Sequence, residues 1–215
     1  MVLTEEKIVE LYNKYKDLFN PQELVGKKIE KSGHYSTDDS IVLYSVIRFL
    51  KPSKILEMSP ETGWTTLIML EAIRDEEFKC DIISYDLKEE SNQFNVNEEY
   101  ASRIFVKGNI KNTFKVNDIK ECNFILMDAD HHKDFAEWYS ENVLFHLKKN
   151  AVIFIHDWPG YSDDYGSHMG RSGKTNEPGS VKKHFIREGY GVHITNTKDL
   201  GLSGYTEIIY RTNRS

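Results

Sequence analysis

Five short apolar runs, each bounded by turn-like or helical sequence, most constrain what this chain can fold into. They are Lys54–Met58, Asp81–Tyr85, Arg103–Val106, Asn123–Met127 and Ala151–Ile155. Each is nearly continuous rather than alternating, which is the pattern of strands buried on both faces, and such strands are typically parallel. Between them, Thr65–Arg74 and Phe135–Lys148 carry apolar residues at helical spacing. This order predicts an α/β fold with a parallel sheet and helices on both faces. Ahead of the first run, residues 4–19 place Ile8, Leu11, Tyr12, Tyr15 and Leu18–Phe19 on one stripe and read as a helix. A second helix, capped by Thr37 or Asp38, runs to Lys51-Pro52, where proline stops it. After the fifth run, Ser180–Arg187 reads as helical, and Val192–Thr195 and Thr206–Tyr210 flank a Gly-rich turn suited to an antiparallel hairpin.

A length of 215 residues predicts one domain, and neither an internal repeat nor a linker argues for a second. Against 28 Lys+Arg stand 34 Asp+Glu, a formal charge of −6, which disfavours nucleic acid or an anionic membrane as partner. The longest uninterrupted apolar stretch, Ala151–Ile155, is far too short to span a bilayer. Residues 1–20 open on Glu5, Glu6 and Lys7 in an amphipathic pattern, not a basic start before an apolar core, so a cytoplasmic protein is expected. Cys80 and Cys122 lack metal-ligand spacing and read as buried apolar fillers.

In open parallel sheets, ligands bind beyond the carboxyl ends of the strands. The first such end reads Glu57-Met58-Ser59-Pro60-Glu61-Thr62-Gly63-Trp64-Thr65-Thr66. An acid ends the strand, a tight turn follows, and Gly63 opens a helix whose N-terminus presents unpaired N–H groups. The second strand ends in Tyr85-Asp86, an acid placed to hydrogen-bond the hydroxyls of a ribose. No G-x-G-x-x-G follows any strand and no G-x-x-x-x-G-K-[ST] is present, which disfavours a nicotinamide site and a P-loop.

Over roughly residues 34–157, these motifs resemble the class I S-adenosylmethionine-dependent methyltransferases. The resemblance is to the small-molecule O-methyltransferase branch that acts on sugars, natural products and catechols. It implies a Rossmann-like, doubly wound, mostly parallel sheet with a C-terminal antiparallel hairpin. It also divides the chain into N-terminal helices and a lid (1–50), a cofactor-binding core (51–157), a substrate loop (158–180) and a C-terminal helix and hairpin (181–215). The turn at Glu57, Ser59, Gly63 and Thr65 would hold the methionine part of S-adenosyl-L-methionine. Asp86 would hold the ribose, and Gly108-Asn109 would lie by the adenine. Ser59, followed by Pro60, stands where the family usually has its first glycine of this turn.

The fourth strand ends Met127-Asp128-Ala129-Asp130-His131-His132, and the fifth ends Ile155-His156-Asp157-Trp158. If the two strands are neighbours, Asp128, Asp130, His131, His156 and Asp157 converge on one patch. Such a patch suits either a hard cation such as Mg²⁺ or an Asp–His pair acting as general base. The resemblance places Asp128 beside both cofactor and acceptor. It places Asp128, His156 and Asp157 where metal-dependent members hold Mg²⁺ or another divalent metal, and His131 where a base lies. His156 stands where an acid is common, although Mg²⁺ prefers oxygen. A plainer reading makes Asp128 or Asp130 the cap of the helix near Lys133.

The loop from Trp158 to Gly179 carries aromatic, hydroxyl and charged side chains that suit a hydroxylated small molecule. Trp158, Tyr161, Arg171 and, beside the base, His132 are the substrate-binding candidates. Gly33–Asp38 is a second candidate lid. The expected reaction is methyl transfer to a small hydroxylated acceptor, a sugar or glycan precursor first and a phenolic natural product second. A catalytically silent binding domain on the same fold is the alternative. The family often forms homodimers.

Overall fold

A computed structural model describes residues 3–24, 35–88, 99–129, 133–147, 150–156, 187, 191–203 and 206–212. All seven expected strands form, in one sheet: β1 (Lys54–Met58), β2 (Cys80–Asp86), β3 (Ala101–Lys107), β4 (Phe124–Met127), β5 (Val152–Ile155), β6 (Gly191–Asn196) and β7 (Glu207–Thr212). Their order is β3-β2-β1-β4-β5-β7-β6. The first five are parallel, while β7 runs antiparallel to both β5 and β6. From β1 the chain winds outward to β2 and β3, and then returns to β4 on the other side. The crevice where the winding reverses therefore opens between the carboxyl ends of β1 and β4.

The continuous apolar runs divide by parity. Ile55, Ile82, Phe124, Leu126, Val152 and Phe154 join one buried cluster, packed with α1 (Glu5–Tyr15), α2 (Thr37–Leu50) and α3 (Trp64–Asp75). Leu56, Met58, Ile83, Ile125, Met127, Ile153 and Ile155 join the other, under α4 (Ile110–Thr113), α5 (Val116–Ile119) and α6 (Lys133–Asn142). Because side chains alternate across a strand, residues 57, 86, 128 and 156 all fall on the α2–α3 side. β3 departs from the expectation of two-sided burial. It is an edge strand, and Ile104 is 60% exposed.

Two helices differ from their expected bounds. Thr4 caps α1, accepting from the Lys7 N–H, but α1 ends at Tyr15 rather than running to residue 19. Leu18 lies in the following turn, exposed, and Phe19 stacks on Tyr44 of α2. The cap of α2 is Ser36, not Thr37 or Asp38: its Oγ accepts the Asp39 N–H at 2.9 Å and donates to Asp39 Oδ2 at 2.8 Å. The Asp38 carboxylate is engaged elsewhere, by the Tyr12 hydroxyl and by Ser203. The expected helix at 180–187 lies outside the described residues, apart from Arg187. Among the described residues no helix is long and apolar enough to cross a membrane, and Cys80 and Cys122 are buried.

Candidate active site

The loop leaving β1 is built on a buried acid. Glu57 is fully enclosed, and its carboxylate accepts hydrogen bonds from Thr65 Oγ1 (2.8 Å), Thr66 Oγ1 (2.8 Å) and Ser84 Oγ (2.6 Å). Arg103, on β3, sends its guanidinium into the same place: Nε donates to Ser84 Oγ at 2.9 Å, and one terminal nitrogen lies 3.8 Å from Glu57 Oε2. Burial pulls the Arg103 pKa down, and the charges of Glu57 and Asp86 pull it back up. Glu57 therefore ties the first turn of α3 to β2 and β3, and its part in a ligand site is to hold the loop. The Thr65 hydroxyl serves the same carboxylate.

The loop takes the path a glycine would give it. Ser59 has φ 60° and donates its N–H to the Tyr85 carbonyl at 2.7 Å. Glu61 has φ 49°, and its N–H reaches Asp86 Oδ2 at 2.9 Å. Two left-handed non-glycine residues in one short turn each cost about 1 kcal/mol or more, and their N–H groups bond to the end of β2. Gly63, at φ 82°, then opens α3 with no side-chain cap. Its left-handed backbone is where glycine is needed.

Asp86 is a junction as well as a strand end. Besides Glu61, its carboxylate accepts the Lys88 N–H at 3.0 Å, and its carbonyl accepts the Gly108 N–H at 2.7 Å. The side chain is only 8% exposed. Gly108 sits at φ 133°, and a Cβ there would meet Thr113 Cγ2 at 2.9 Å. Gly108→Ala is therefore expected to lower stability by about 1–3 kcal/mol, with a matching fall in the thermal midpoint. A change of a few tenths would show that the β3–α4 turn relaxes freely. Asn109 is partly committed: its Oδ1 accepts the Lys111 N–H at 2.9 Å and so caps α4.

Across the crevice, Asp128 follows β4 and His156 follows β5, level with one another. Asp128 donates its N–H to the Met58 carbonyl at 3.3 Å, and His156 donates its own to the Met127 carbonyl at 3.0 Å. His156 Nδ1 lies 3.3 Å from Asp128 Oδ1, and Nε2 lies 3.6 Å from Asp39 Oδ2. The Tyr35 ring stacks on the imidazole at a centroid distance of 3.8 Å. The described part of the expected second lid, residues 35–38, is thus the packed cap of α2. Asp130, His131, His132, Asp157, Trp158, Tyr161 and Arg171 lie outside the described residues.

The trio expected to hold a metal, Asp128, His156 and Asp157, is described only in part, since Asp157 lies outside the described residues. Both ring nitrogens of the buried His156 face carboxylates, and a ligating imidazole would turn the lone pair of one of them toward the ion. Among the described residues no group of three or more His, Cys, Asp or Glu side chains is arranged to hold a metal ion. Sequence reasoning missed Tyr35, Asp39 and Arg103. A charge inside an otherwise apolar run was the available signal for Arg103, and the Ser36-x-x-Asp39 pattern signalled only a helix cap.

Residues 60–158 match a family model described as a methyltransferase domain. Over this stretch the chain is similar to a methyltransferase domain. No curated protein matches the chain. Solved structures show the same fold at low identity. The SAH-bound methyltransferase PaMTH1 of Podospora anserina is 17% identical, with a TM-score of 0.54 over 98% of this chain and 89% of that one. An O-methyltransferase of Bacillus cereus in complex with SAH is 12% identical, with a TM-score of 0.51 over 99% and 93%. The O-methyltransferase TomG of Streptomyces achromogenes, involved in tomaymycin synthesis and complexed with SAM, is 12% identical, with a TM-score of 0.52 over 99% and 92%. The matched stretch begins in the turn after β1, takes in the turn after β2 and ends just past β5.

Proposed function

We infer that the chain is an S-adenosylmethionine-dependent O-methyltransferase acting on a small hydroxylated acceptor. The observation that carries this reading is the junction at Asp86: one buried carboxylate at the end of β2 is bonded to the turn after β1, level with the opening of α3 at Gly63. In this reading Asp86 holds the ribose hydroxyls. The turn from Ser59 to Thr65 holds the methionine end, with Glu57 behind it. Gly108 and Asn109 lie by the adenine, and Asp128 faces both cofactor and acceptor. When bound, the cofactor supplies a sulfonium methyl group open to in-line attack by an acceptor oxygen. His131, three residues beyond Asp128, takes the hydroxyl proton, while the protein aligns the reactants and excludes water. His132, Trp158, Tyr161 and Arg171 supply acceptor contacts. A sugar or glycan-precursor hydroxyl is the first acceptor class and a phenol the second.

Calorimetric titration with S-adenosylhomocysteine tests the cofactor, and methyl transfer from labelled cofactor to panels of sugars, nucleotide-sugars and catechols tests the acceptor. Micromolar binding with label on a sugar hydroxyl is expected, and it persists in EDTA if His131 is the base. Absence of binding would overturn the reading in favour of a silent domain on this fold.

A further inference from the structure

The geometry points to Asp39, His156 and Asp128 as a fixed carboxylate–imidazole–carboxylate array, in which Asp39 and His156 are positioning residues for Asp128 and His156 is not a metal ligand. The inference rests on the methyltransferase reading only for what Asp128 then meets.

Three separate elements meet at this array. Asp39 is on α2, Asp128 follows β4 and His156 follows β5, so the imidazole is a cross-brace between a helix on one face and the ends of two strands. Each outer member is itself held. Asp39 receives the Ser36 hydroxyl at 2.8 Å and the Thr197 hydroxyl at 3.4 Å, and the Asp128 backbone is anchored to β1. The stacked Tyr35 ring opposes rotation of the imidazole and favours its cationic form. Taking a lone carboxylate out of water is costly, so a buried acid such as Asp39 persists only where countercharge and hydroxyl donors surround it. Burial raises the pKa of Asp39, but the nearby His156 imidazole and the Ser36 hydroxyl outweigh it and hold the group below the usual carboxylate range.

The same geometry divides the labour. With 1% exposure, His156 is too enclosed to touch an acceptor, whereas the Asp128 side chain is 24% exposed and is the member that opens onto the crevice. Serving as a metal ligand would require His156 to give up the ring proton directed at one of the two carboxylates. The array supplies its own cation instead.

The test uses the full chain labelled with ¹⁵N-histidine. Wild-type protein should show one histidine with two ring N–H signals slow to exchange with solvent. Asp128→Asn should perturb one of them and Asp39→Asn the other. Equimolar Zn²⁺ should leave both in place; loss of a ring N–H on adding Zn²⁺ would make His156 a ligand and overturn the proposal. Positioning is read from S-adenosylhomocysteine affinity. His156→Leu should weaken it by about tenfold, the scale of one lost hydrogen bond to a charged group. His156→Asn keeps an N–H directed at Asp128 and should restore binding to within about threefold. Equal affinity in the Leu and Asn variants would overturn the positioning role, and should the Leu variant fail to fold, Asp39→Asn, which preserves volume, replaces it in that comparison. If wild-type protein binds no S-adenosylhomocysteine, the functional reading fails, while the ring signals still decide the array.

Discussion

Glu57→Ala is expected to remove about 3–5 kcal/mol of folding stability, read by urea unfolding at neutral pH. The loss is large because the carboxylate is shared. Three hydroxyls from α3 and β2 donate to it, and the buried Arg103 faces it. Alanine leaves those donors without their acceptor and the guanidinium without its nearest countercharge. Against a typical total of about 5–15 kcal/mol, such a loss unfolds a substantial fraction of molecules at physiological temperature. Glu57→Gln keeps one acceptor oxygen and should cost about 1–3 kcal/mol. The double variant Glu57→Gln, Arg103→Met should lose less than the sum of the single losses, because the second change removes the uncompensated cation. A Glu57→Ala loss below about 1 kcal/mol would mean that the carboxylate does not organise the loop.

Asp86→Ala is expected to weaken S-adenosylhomocysteine binding by roughly 100-fold, the scale of one or two hydrogen bonds to a carboxylate. Two effects combine in that number: loss of the acceptor for ribose hydroxyls, and release of the Glu61 and Lys88 N–H groups that fix the turns after β1 and β2. A ligand lacking one ribose hydroxyl separates them. If Asp86 touches the ribose, 2′-deoxy-S-adenosylhomocysteine should bind wild-type protein more weakly than the parent ligand, and the two ligands should bind Asp86→Ala alike. An unchanged ratio between them in the variant would confine Asp86 to shaping the loop.

Much of the frame was legible because burial on both faces leaves a simple trace in sequence. β1 has the bounds its apolar run suggests, and β2, β4, β5, β6 and β7 fall within two residues of theirs. The strand parity that puts Glu57, Asp86, Asp128 and His156 on one side of the sheet can be counted along the chain. β3 was less legible because position in the sheet, not local pattern, makes it an edge. The end of α1 was misplaced because Leu18 keeps the helical spacing while facing solvent. Asp39 was hidden for a different reason. Its local pattern is that of the partner of a helix cap, which it is for Ser36, and nothing within its own helix reveals a histidine well over a hundred residues away. The same separation hides the second carboxylate beside His156, which comes from α2 and not from the strand ends that the motif describes. His131, His132, Trp158, Tyr161 and Arg171 remain readings of the sequence, carried by the proposed function, and Asp157 remains a reading of the sequence alone.

The contacts of Asp38 also bear on when the protein becomes whole. Its carboxylate is met by Ser203, 165 positions later, and Asp39 is met by Thr197, 158 positions later. At about 5–20 residues per second, a ribosome takes roughly 8–33 s to travel between such partners. During that interval the start of α2 exists with its acids unanswered, and closure awaits the β6–β7 hairpin. Pairings so distant along the chain also slow folding, because the entropy of the enclosed loop must be overcome before the contact contributes. A nascent chain halted before the hairpin therefore exposes an unfinished crevice to chaperones and proteases, so the last strands act as a checkpoint on completed synthesis.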